Sequence, residues 1–368
     1  MSKQVLFLFP GAGRKSRIEG LAKGTVPQEF FYGLLHLWKS GYDIKIFDSR
    51  TDPLGLVNLL LLRFEKLRNR FLNLGFTKAR ILAADLEIKK CDVAISFTDA
   101  FSLSLGLYGR RLYPNKRLIG GFQKLTDIPN DSKILSPSRT ERLIKKAVKG
   151  LDHLFFMGEH DRQQAILRYG LNAAKTSLFR FGVDTEFWSP DDNMVEENFI
   201  FSAGSDPKRD FETLLQAQIT MNIQILTRLP LTIPKEKSNV QLMRGSYHDS
   251  AISDIELRNM YRKAIIVVVP LRDVNQPSGC SVTLQAMACG KPVVLTRNRG
   301  LWDPELLVSG ENCILVPPGD PAAIFEAVER LRGDTKFRLS IGNAARKTAV
   351  EHFSMSRMNN DVEALIHK

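Results

Sequence analysis

The sequence predicts an α/β protein built from two doubly wound parallel sheets. Short apolar segments alternate with longer helical stretches along the 368 residues, which is typical of parallel α/β domains. The alternation breaks at residues 187–193, where Pro stands among turn-forming Asp and Asn, and then it restarts. At roughly 150 residues a domain, the length also predicts two domains.

Strands are predicted where short apolar runs lie between turn residues. In the first half they cover 5–9, 43–47, 93–97, 118–120, 134–135 and 154–157. In the second half they cover 198–202, 222–226, 240–243, 265–269, 292–295 and 313–316. We place the first domain at 1–185 and the second at 186–350. A C-terminal helix at 351–368 could cross back to the first domain.

The segment 278–290 predicts a helix that opens with small residues and ends at Gly290. The start of a helix offers unpaired backbone N–H groups and a positive dipole end. Gly279 lets a ligand approach the backbone closely, and Ser278 and Ser281 add hydroxyl donors. This segment is therefore either a cradle for a diphosphate or an ordinary helix start.

Charge and cysteine content limit the function classes. Residues 1–190 carry 31 Lys and Arg against 18 Asp and Glu, a net charge of +13, whereas residues 191–368 carry 21 against 22. A basic half indicates an anionic partner or simple solubility. The four cysteines are scattered, which argues against a disulfide framework or a zinc site and fits a reducing cytoplasm. No apolar run is long enough to cross a bilayer.

Residues 278–294 resemble the signature of glycosyltransferase family 4, which is Glu, seven residues, Glu, then Ala-Met-Ala-x-Gly-x-Pro-Val. The second part matches from Ala286 to Val293. The segments 181–190, 203–211 and 309–321 match further family motifs in the family's order, so the resemblance covers 175–350. It implies a GT-B fold, with two Rossmann-like domains facing each other across a cleft, in which 1–185 is the acceptor-binding domain and 186–350 the nucleotide-sugar-binding domain. It also implies a retaining hexosyltransferase that uses a UDP- or GDP-sugar as donor.

The resemblance assigns roles to residues of the second half. The family's second Glu holds the nucleotide ribose, and here Gln285 could still accept a hydrogen bond from a ribose hydroxyl. The first Glu, which contacts the donor sugar, is replaced by Pro277. The phosphate-binding Arg of the family falls on Ser205, while Lys208 and Arg209 lie near its Lys. This pair either binds the diphosphate, and so acts in catalysis, or is a solvated basic pair.

Three more residues of the second half are candidates for binding the nucleotide. Cys280 lies in the predicted cradle. Arg228 and Arg244 each follow a predicted strand, near the place where the family holds the base. Either arginine could equally be a surface charge.

In the first half, Gly11 and Gly13 follow the first strand, where the family has a Gly-rich loop facing the donor. The same glycines could form a plain tight turn. Asp99 follows a later strand, at the place where the family often carries a catalytic His or acid. It is a candidate base or sugar contact, or an N-cap or loop Asp.

Residues 56–74 predict an amphipathic helix with a Leu and Phe stripe beside a basic face. Such a helix suits an anionic membrane interface, or it packs on its own sheet with a solvated basic face. The acceptor implied by the resemblance is a glycan or lipid-linked molecule, in polysaccharide or glycolipid assembly in the cell envelope. A cytoplasmic protein, peripheral on the cytoplasmic face of the membrane, fits these features. Because Asp-x-Asp is absent, we expect no cofactor and no obligatory metal.

Three alternatives remain. A nucleotide-sugar epimerase would need acid and base side chains in the cleft, and the sequence shows no convincing set. A non-catalytic partner protein with a degraded donor site is compatible with Pro277 and Ser205. A nucleic-acid binder is suggested by the basic pI, but no zinc-finger spacing and no RNA-binding signature occurs, so we expect no nucleic acid.

Overall fold

A computed structural model describes residues 3–9, 13–48, 52, 55–72, 76–131, 136–244 and 252–367, without the side chains of 68, 70–72, 130 and 131. The chain divides into two compact units. Unit 1 comprises Met1–Glu19, Phe30–Arg180 and Met358–Lys368, and unit 2 comprises Gly20–Glu29 and Phe181–Arg357. Residues 20–29 interrupt unit 1 in sequence but pack within unit 2.

The elements up to residue 180 alternate between strand and helix. In chain order they are β1 (Gln4–Phe9), α1 (Ile18–Ala22), α2 (Leu34–Lys39), β2 (Asp43–Asp48), α3 (Leu56–Leu72), α4 (Lys78–Ala83), α5 (Asp85–Lys90), β3 (Val93–Ser96), α6 (Asp99–Ser104), α7 (Arg110–Leu112), β4 (Arg117–Phe122), α8 (Ile128–Asp131), α9 (Pro137–Val148), β5 (His153–Phe156), α10 (Glu159–Tyr169) and β6 (Thr176–Leu178). A π-helical turn, Leu105–Gly109, joins α6 to α7.

Unit 1 contains a six-stranded sheet in the order β2-β1-β3-β4-β5-β6, and each of these pairings is parallel. The chain moves outward from β1 to β2 and then returns past β1 to β3. The direction of winding therefore reverses between β1 and β3, which makes the carboxyl ends of these strands a topological switch point.

Alternate residues of β1 serve two different cores. Leu6 and Leu8 join a cluster formed with the helices on one face of the sheet. Phe7 points to the other face and stacks on Phe97 with ring centroids 5.2 Å apart, and Tyr32 stacks on Phe97 at 4.5 Å. Both faces of the sheet are thus covered, which explains why its central strands are continuous apolar runs.

Unit 2 repeats the same architecture. Its elements are β7 (Glu197–Ala203), α11 (Phe211–Gln216), β8 (Asn222–Thr227), β9 (Val240–Arg244), α12 (Asp254–Lys263), β10 (Ala264–Val269), α13 (Cys280–Ala288), β11 (Val293–Thr296), β12 (Ile314–Val316), α14 (Pro321–Gly333), α15 (Thr335–His352) and the first residues of α16 (Met355–His367). The parallel sheet runs β12-β11-β10-β7-β8-β9, so its switch point lies between β7 and β10.

Two parallel, doubly wound sheets confirm the predicted fold class. The predicted strands are present with ends shifted by one or two residues, except 134–135, which lie outside the described residues. Strand β6 was not predicted, because three residues at a sheet edge leave little pattern. None of the helices in the described part of the chain is long and apolar enough to cross a membrane.

Candidate functional site

The loops that follow β7 and β10 are joined at the switch point of unit 2. Arg209 forms an isolated antiparallel bridge with Leu271. The Arg272 N–H donates to the Lys208 carbonyl at 2.9 Å, and the Asp210 N–H donates to the Pro270 carbonyl at 3.0 Å. Ligands of open α/β sheets bind outside the carboxyl ends of the strands at such a point. The paired loops therefore form the floor of the candidate site.

Helix α13 starts at this floor. Gly279 caps the helix with φ +84, a left-handed conformation that glycine adopts without strain. The first N–H groups of a helix have no intrahelical acceptor, and they lie at the positive end of its dipole. Cys280 and Ser281, both half-buried, form the first turn, so the predicted cradle is present as a helix start.

Arg209 is a buried cation at the floor of the site. Its side chain is 5% exposed, and its Nε and Nη1 have no hydrogen-bond partner among the residues that the structure describes. Burial lowers the pKa of Arg209, an effect that the nearby Asp206 opposes. An arginine remains charged even so, and buried unpaired donors are costly. An anion that accepts from these two nitrogens would remove the cost.

Two glycines make the space that the guanidinium fills. A Cβ atom at Gly204 would lie 2.1 Å from the Arg209 Nε, and one at Gly279 would lie 3.0 Å from its Nη1. Both glycines have positive φ, at +139 and +84. The guanidinium therefore lies directly between the end of β7 and the start of α13.

Asp206 fastens the loop after β7 to the segment that precedes α13. Its Oδ2 accepts from Gln276 Nε2 at 2.9 Å and from Ser278 Oγ at 2.5 Å. Its Oδ1 accepts from the Lys208 N–H at 3.0 Å. The Ser278 hydroxyl is thus occupied as a donor, while Lys208 lies half-buried beside Arg209 in the chain.

Gln285 lies inside unit 2, 2% exposed, on the buried side of α13. Its Nε2 donates to Glu29 Oε1 at 3.0 Å, and its Oε1 accepts from the Tyr261 hydroxyl at 3.3 Å. Glu29 Oε1 also accepts from Trp188 Nε1 at 2.7 Å, and Oε2 accepts from the Asp184 N–H at 3.3 Å. Both polar atoms of Gln285 thus have partners inside unit 2, and its burial leaves little of the side chain open to a ribose hydroxyl.

Glu29 is the member of this cluster that sequence reasoning missed. It is fully buried, and desolvation raises its pKa to about 7 against the hydrogen bonds that favour its ionised form. The residue lies 256 positions from Gln285 in the sequence, in a segment without a motif. Gln285 carries an amide where the family's second Glu carries a carboxylate, and this amide donates a hydrogen bond to the carboxyl group of Glu29.

The remaining nucleotide candidates of unit 2 are spread along the sheet edge. Ser205 Oγ accepts from the Arg228 N–H at 3.0 Å, which joins the loops after β7 and β8. Arg244 is exposed at the end of β9, and its Nη2 donates to the Leu231 carbonyl at 2.9 Å. The structure thus brings Ser205 and Arg228 together and places Arg244 on the edge strand.

Asp99 holds a loop of unit 1. Its carboxylate accepts from the N–H groups of Gln123 at 3.2 Å and Lys124 at 3.1 Å, and burial raises its pKa. Asp161 accepts from the next two N–H groups, 125 and 126, at 3.1 and 3.0 Å. Burial raises the pKa of Asp161 to about 7. This is the geometry of a loop Asp, the alternative to a base or sugar contact.

The other candidates of unit 1 follow β1. Gly13 has a positive φ of +64, and its carbonyl accepts from Ser16 Oγ at 2.7 Å, as in a tight turn. Arg14 donates to the Phe30 carbonyl at 2.7 Å and stacks over the Phe9 ring. Gly11 lies outside the described residues. No group of three or more potential metal ligands occurs in the described ranges.

Comparison with known proteins finds a family match in unit 2 and fold similarity over the whole chain. Residues 236–334 match the family described as Glycosyl transferases group 1. Sucrose-phosphate synthase from Thermosynechococcus elongatus superposes with a TM-score of 0.71 at 17% identity, covering 99% of this chain and 98% of that one. The chain has the GT-B fold. The Anabaena protein HepE, solved with UDP-glucose, has a TM-score of 0.69 at 16% identity and covers 99% and 100%.

The curated relatives are similar over part of their length. The MMP alpha-(1->4)-mannosyltransferase of Mycolicibacterium hassiacum is 25% identical over 235 residues, which are 61% of this chain and 56% of that protein. The D-inositol 3-phosphate glycosyltransferase of Corynebacterium jeikeium is 38% identical over 96 residues, 26% of this chain and 22% of that protein. The chain thus spans about half of the first relative and less of the second.

Proposed function

We propose that the protein transfers a hexose from a UDP- or GDP-sugar to an acceptor hydroxyl. The buried Arg209 carries this proposal. Its Nε and Nη1, which have no hydrogen-bond partner in the described ranges, lie between two glycines at the switch point, next to the start of α13. A diphosphate supplies the oxygens and the negative charge that such a site lacks. HepE, which shares the fold, binds UDP-glucose and UDP, and this supports a uridine nucleotide first.

The site also suits the departure of a diphosphate. Negative charge builds on the leaving diphosphate as the glycosidic bond breaks, and fixed donors aimed at that charge lower the barrier. Arg209 in its water-poor setting, Lys208 and the helix start would supply these donors. We propose retention of configuration, in which a diphosphate oxygen accepts the proton of the acceptor hydroxyl on the same face. The paired carboxylates of a glycosidase are then unnecessary.

The finer assignments follow the same proposal. The acceptor is a glycan or a lipid-linked molecule, bound by unit 1 in polysaccharide or glycolipid assembly at the cytoplasmic face of the membrane. Nucleic acid is not a partner. No metal is obligatory, because Arg209, Lys208 and the dipole of α13 together match the charge of a diphosphate. Asp99 contributes to catalysis only if it releases the loop that it now holds.

The proposal is tested by the thermal stability of the purified protein with UDP, GDP, ADP and their sugars. A ligand at about 100 times its dissociation constant should stabilise the fold by about 2.7 kcal/mol. We expect one nucleotide to raise the Tm, and Arg209→Ala to lose most of that rise. Arg332→Ala is the matched control, since this arginine is half-exposed on α14 and paired with Glu329.

The nucleotide that binds then identifies the donors to try in a transfer assay. Proton NMR of the product gives its anomeric configuration and so tests retention. If no nucleotide raises the Tm of the folded protein, the proposal is overturned, and the non-catalytic partner with a degraded donor site takes its place.

A further inference from the structure

Helix α3 of unit 1 turns a mixed polar and apolar side inward. Of its described side chains, two are buried, Glu65 at 3% and Leu62 at 6% exposure. Five large apolar side chains instead face outward: Leu56 78%, Val57 78%, Leu60 60%, Phe64 67% and Leu67 57% exposed. A helix that only covers its own sheet shows the reverse arrangement. An exposed apolar stripe of this kind marks an interaction surface.

Hydrogen bonds fix the rotation of α3. Glu65 Oε1 accepts from the Lys78 N–H at 2.9 Å, and Oε2 accepts from the Ala79 N–H at 3.0 Å. These are the first two residues of α4, so the carboxylate caps that helix. Asn69 Nδ2 donates to the Phe76 carbonyl at 2.6 Å on the same side. The outward position of the apolar side chains therefore follows from built-in polar contacts.

Positive charge accompanies the apolar stripe. Arg63 and Lys66 are exposed on one flank of it, and the single acidic residue of α3, Glu65, is turned inward. Helix α9 belongs to the same helical layer, because Ile81 of α4 and Ile144 of α9 share one core. Its exposed side chains include Arg139, Arg142, Lys145 and Lys146, and the exposed Lys149 follows its end. Helix α3 thus carries an apolar stripe with a basic flank, and α9 adds further positive charge to the surface of unit 1.

We propose that α3 binds the surface of an anionic lipid bilayer. The apolar stripe enters the boundary between headgroups and acyl chains, Arg63 and Lys66 contact lipid phosphates, and α9 adds electrostatic attraction. At about 1.5 Å per residue the helix is roughly 25 Å long, and the hydrogen bonds of Glu65 and Asn69 on its inward side keep it in the plane of the surface. A second copy of the chain fits less well, because pairing this face with itself opposes like charges. The proposal does not depend on sugar transfer.

The test is cosedimentation of the full chain with vesicles of phosphatidylglycerol and phosphatidylcholine in equal amounts. Vesicles of phosphatidylcholine alone provide the uncharged comparison. We expect binding to the anionic vesicles that weakens at high salt. The double variant Leu60→Ser and Phe64→Ser should lower the vesicle affinity at least about tenfold. Leu167→Ser is the control, since this leucine is 77% exposed on α10 of the same unit.

A further variant separates charge from apolar contact. Arg63→Glu with Lys66→Glu should remove the preference for anionic vesicles while the protein stays folded by circular dichroism. The proposal is overturned if the folded wild-type protein stays in the supernatant when the anionic vesicles are pelleted. It is equally overturned if the Leu60 and Phe64 variant binds like the wild type, or if that variant instead converts a dimer in solution into a monomer.

Discussion

At the scale of single residues, the sequence predicted the position of Arg209 in the candidate site but gave no indication of Glu29. Arg209 could be placed beside a strand end from its neighbours, because the segment 203–211 matches a family motif. Its burial between two glycines was not predictable, since that depends on how the loops pair. Glu29 had no sequence signal at all, because its partners Trp188 and Gln285 reach it only through tertiary packing.

The raised pKa of Glu29 makes stability depend on pH. The folded state keeps this proton up to about pH 7, whereas the unfolded chain releases it near 4.5. The contribution of this proton to the free energy of unfolding is therefore fully present below pH 4.5. It is lost as the pH rises to 7, by about 3 kcal/mol in all. Glu29→Gln should flatten the fall of Tm between pH 5 and pH 8.

Gln285 provides the matched comparison for this pH dependence. Gln285→Glu places a second carboxyl beside Glu29, so the folded state should hold a proton more tightly and the Tm should fall more steeply with pH. The double variant Glu29→Gln with Gln285→Glu exchanges the two groups and should regain a slope like that of the wild type. Equal slopes in all four proteins would show that Glu29 is ionised throughout the range.

At the scale of elements, helix α13 was predictable because small residues, a buried face and Gly290 all indicate it. The rotation of α3 was not predictable in the same way. Its amphipathic pattern shows two faces, but only the capping of α4 by Glu65 decides which face turns inward. A contact between two helices carries that information, and the periodicity of one helix does not.

The start of α13 permits a test with two glycines of the same φ. Gly279 and Gly310 both have φ +84, but a Cβ at Gly279 would lie 3.0 Å from Arg209 Nη1, whereas one at Gly310 meets nothing within 4 Å. Alanine at either position should cost roughly 1 to 2 kcal/mol of stability through backbone strain. Only Gly279→Ala should also weaken nucleotide binding in a calorimetric titration. Equal nucleotide affinities in both variants would show that the Arg209 guanidinium is not part of the nucleotide-binding site.

At the scale of the whole molecule, the two units share an architecture and differ in charge. Both contain a six-stranded parallel sheet with a switch point, a plan that the alternating pattern of the sequence was sufficient to predict. The excess positive charge of residues 1–190 belongs mainly to unit 1, whose exposed helices carry it. The cation of the candidate donor site in unit 2 is instead buried. Net charge therefore describes the surface of unit 1, and the candidate donor site had to be found from motifs and packing.

The central claim is that Arg209 binds the diphosphate of a nucleotide. The most direct measurement is calorimetric titration with the nucleoside diphosphate that raises the Tm most, and with its nucleoside, in the wild type and in Arg209→Ala. The wild type should bind the diphosphate far more tightly than the nucleoside. Arg209→Ala should lose roughly 100-fold in diphosphate affinity, since charged hydrogen bonds contribute about 1.5–3 kcal/mol each, while its affinity for the nucleoside stays the same. If both proteins bind the diphosphate equally, Arg209 is not the phosphate ligand, and the account of the site is wrong.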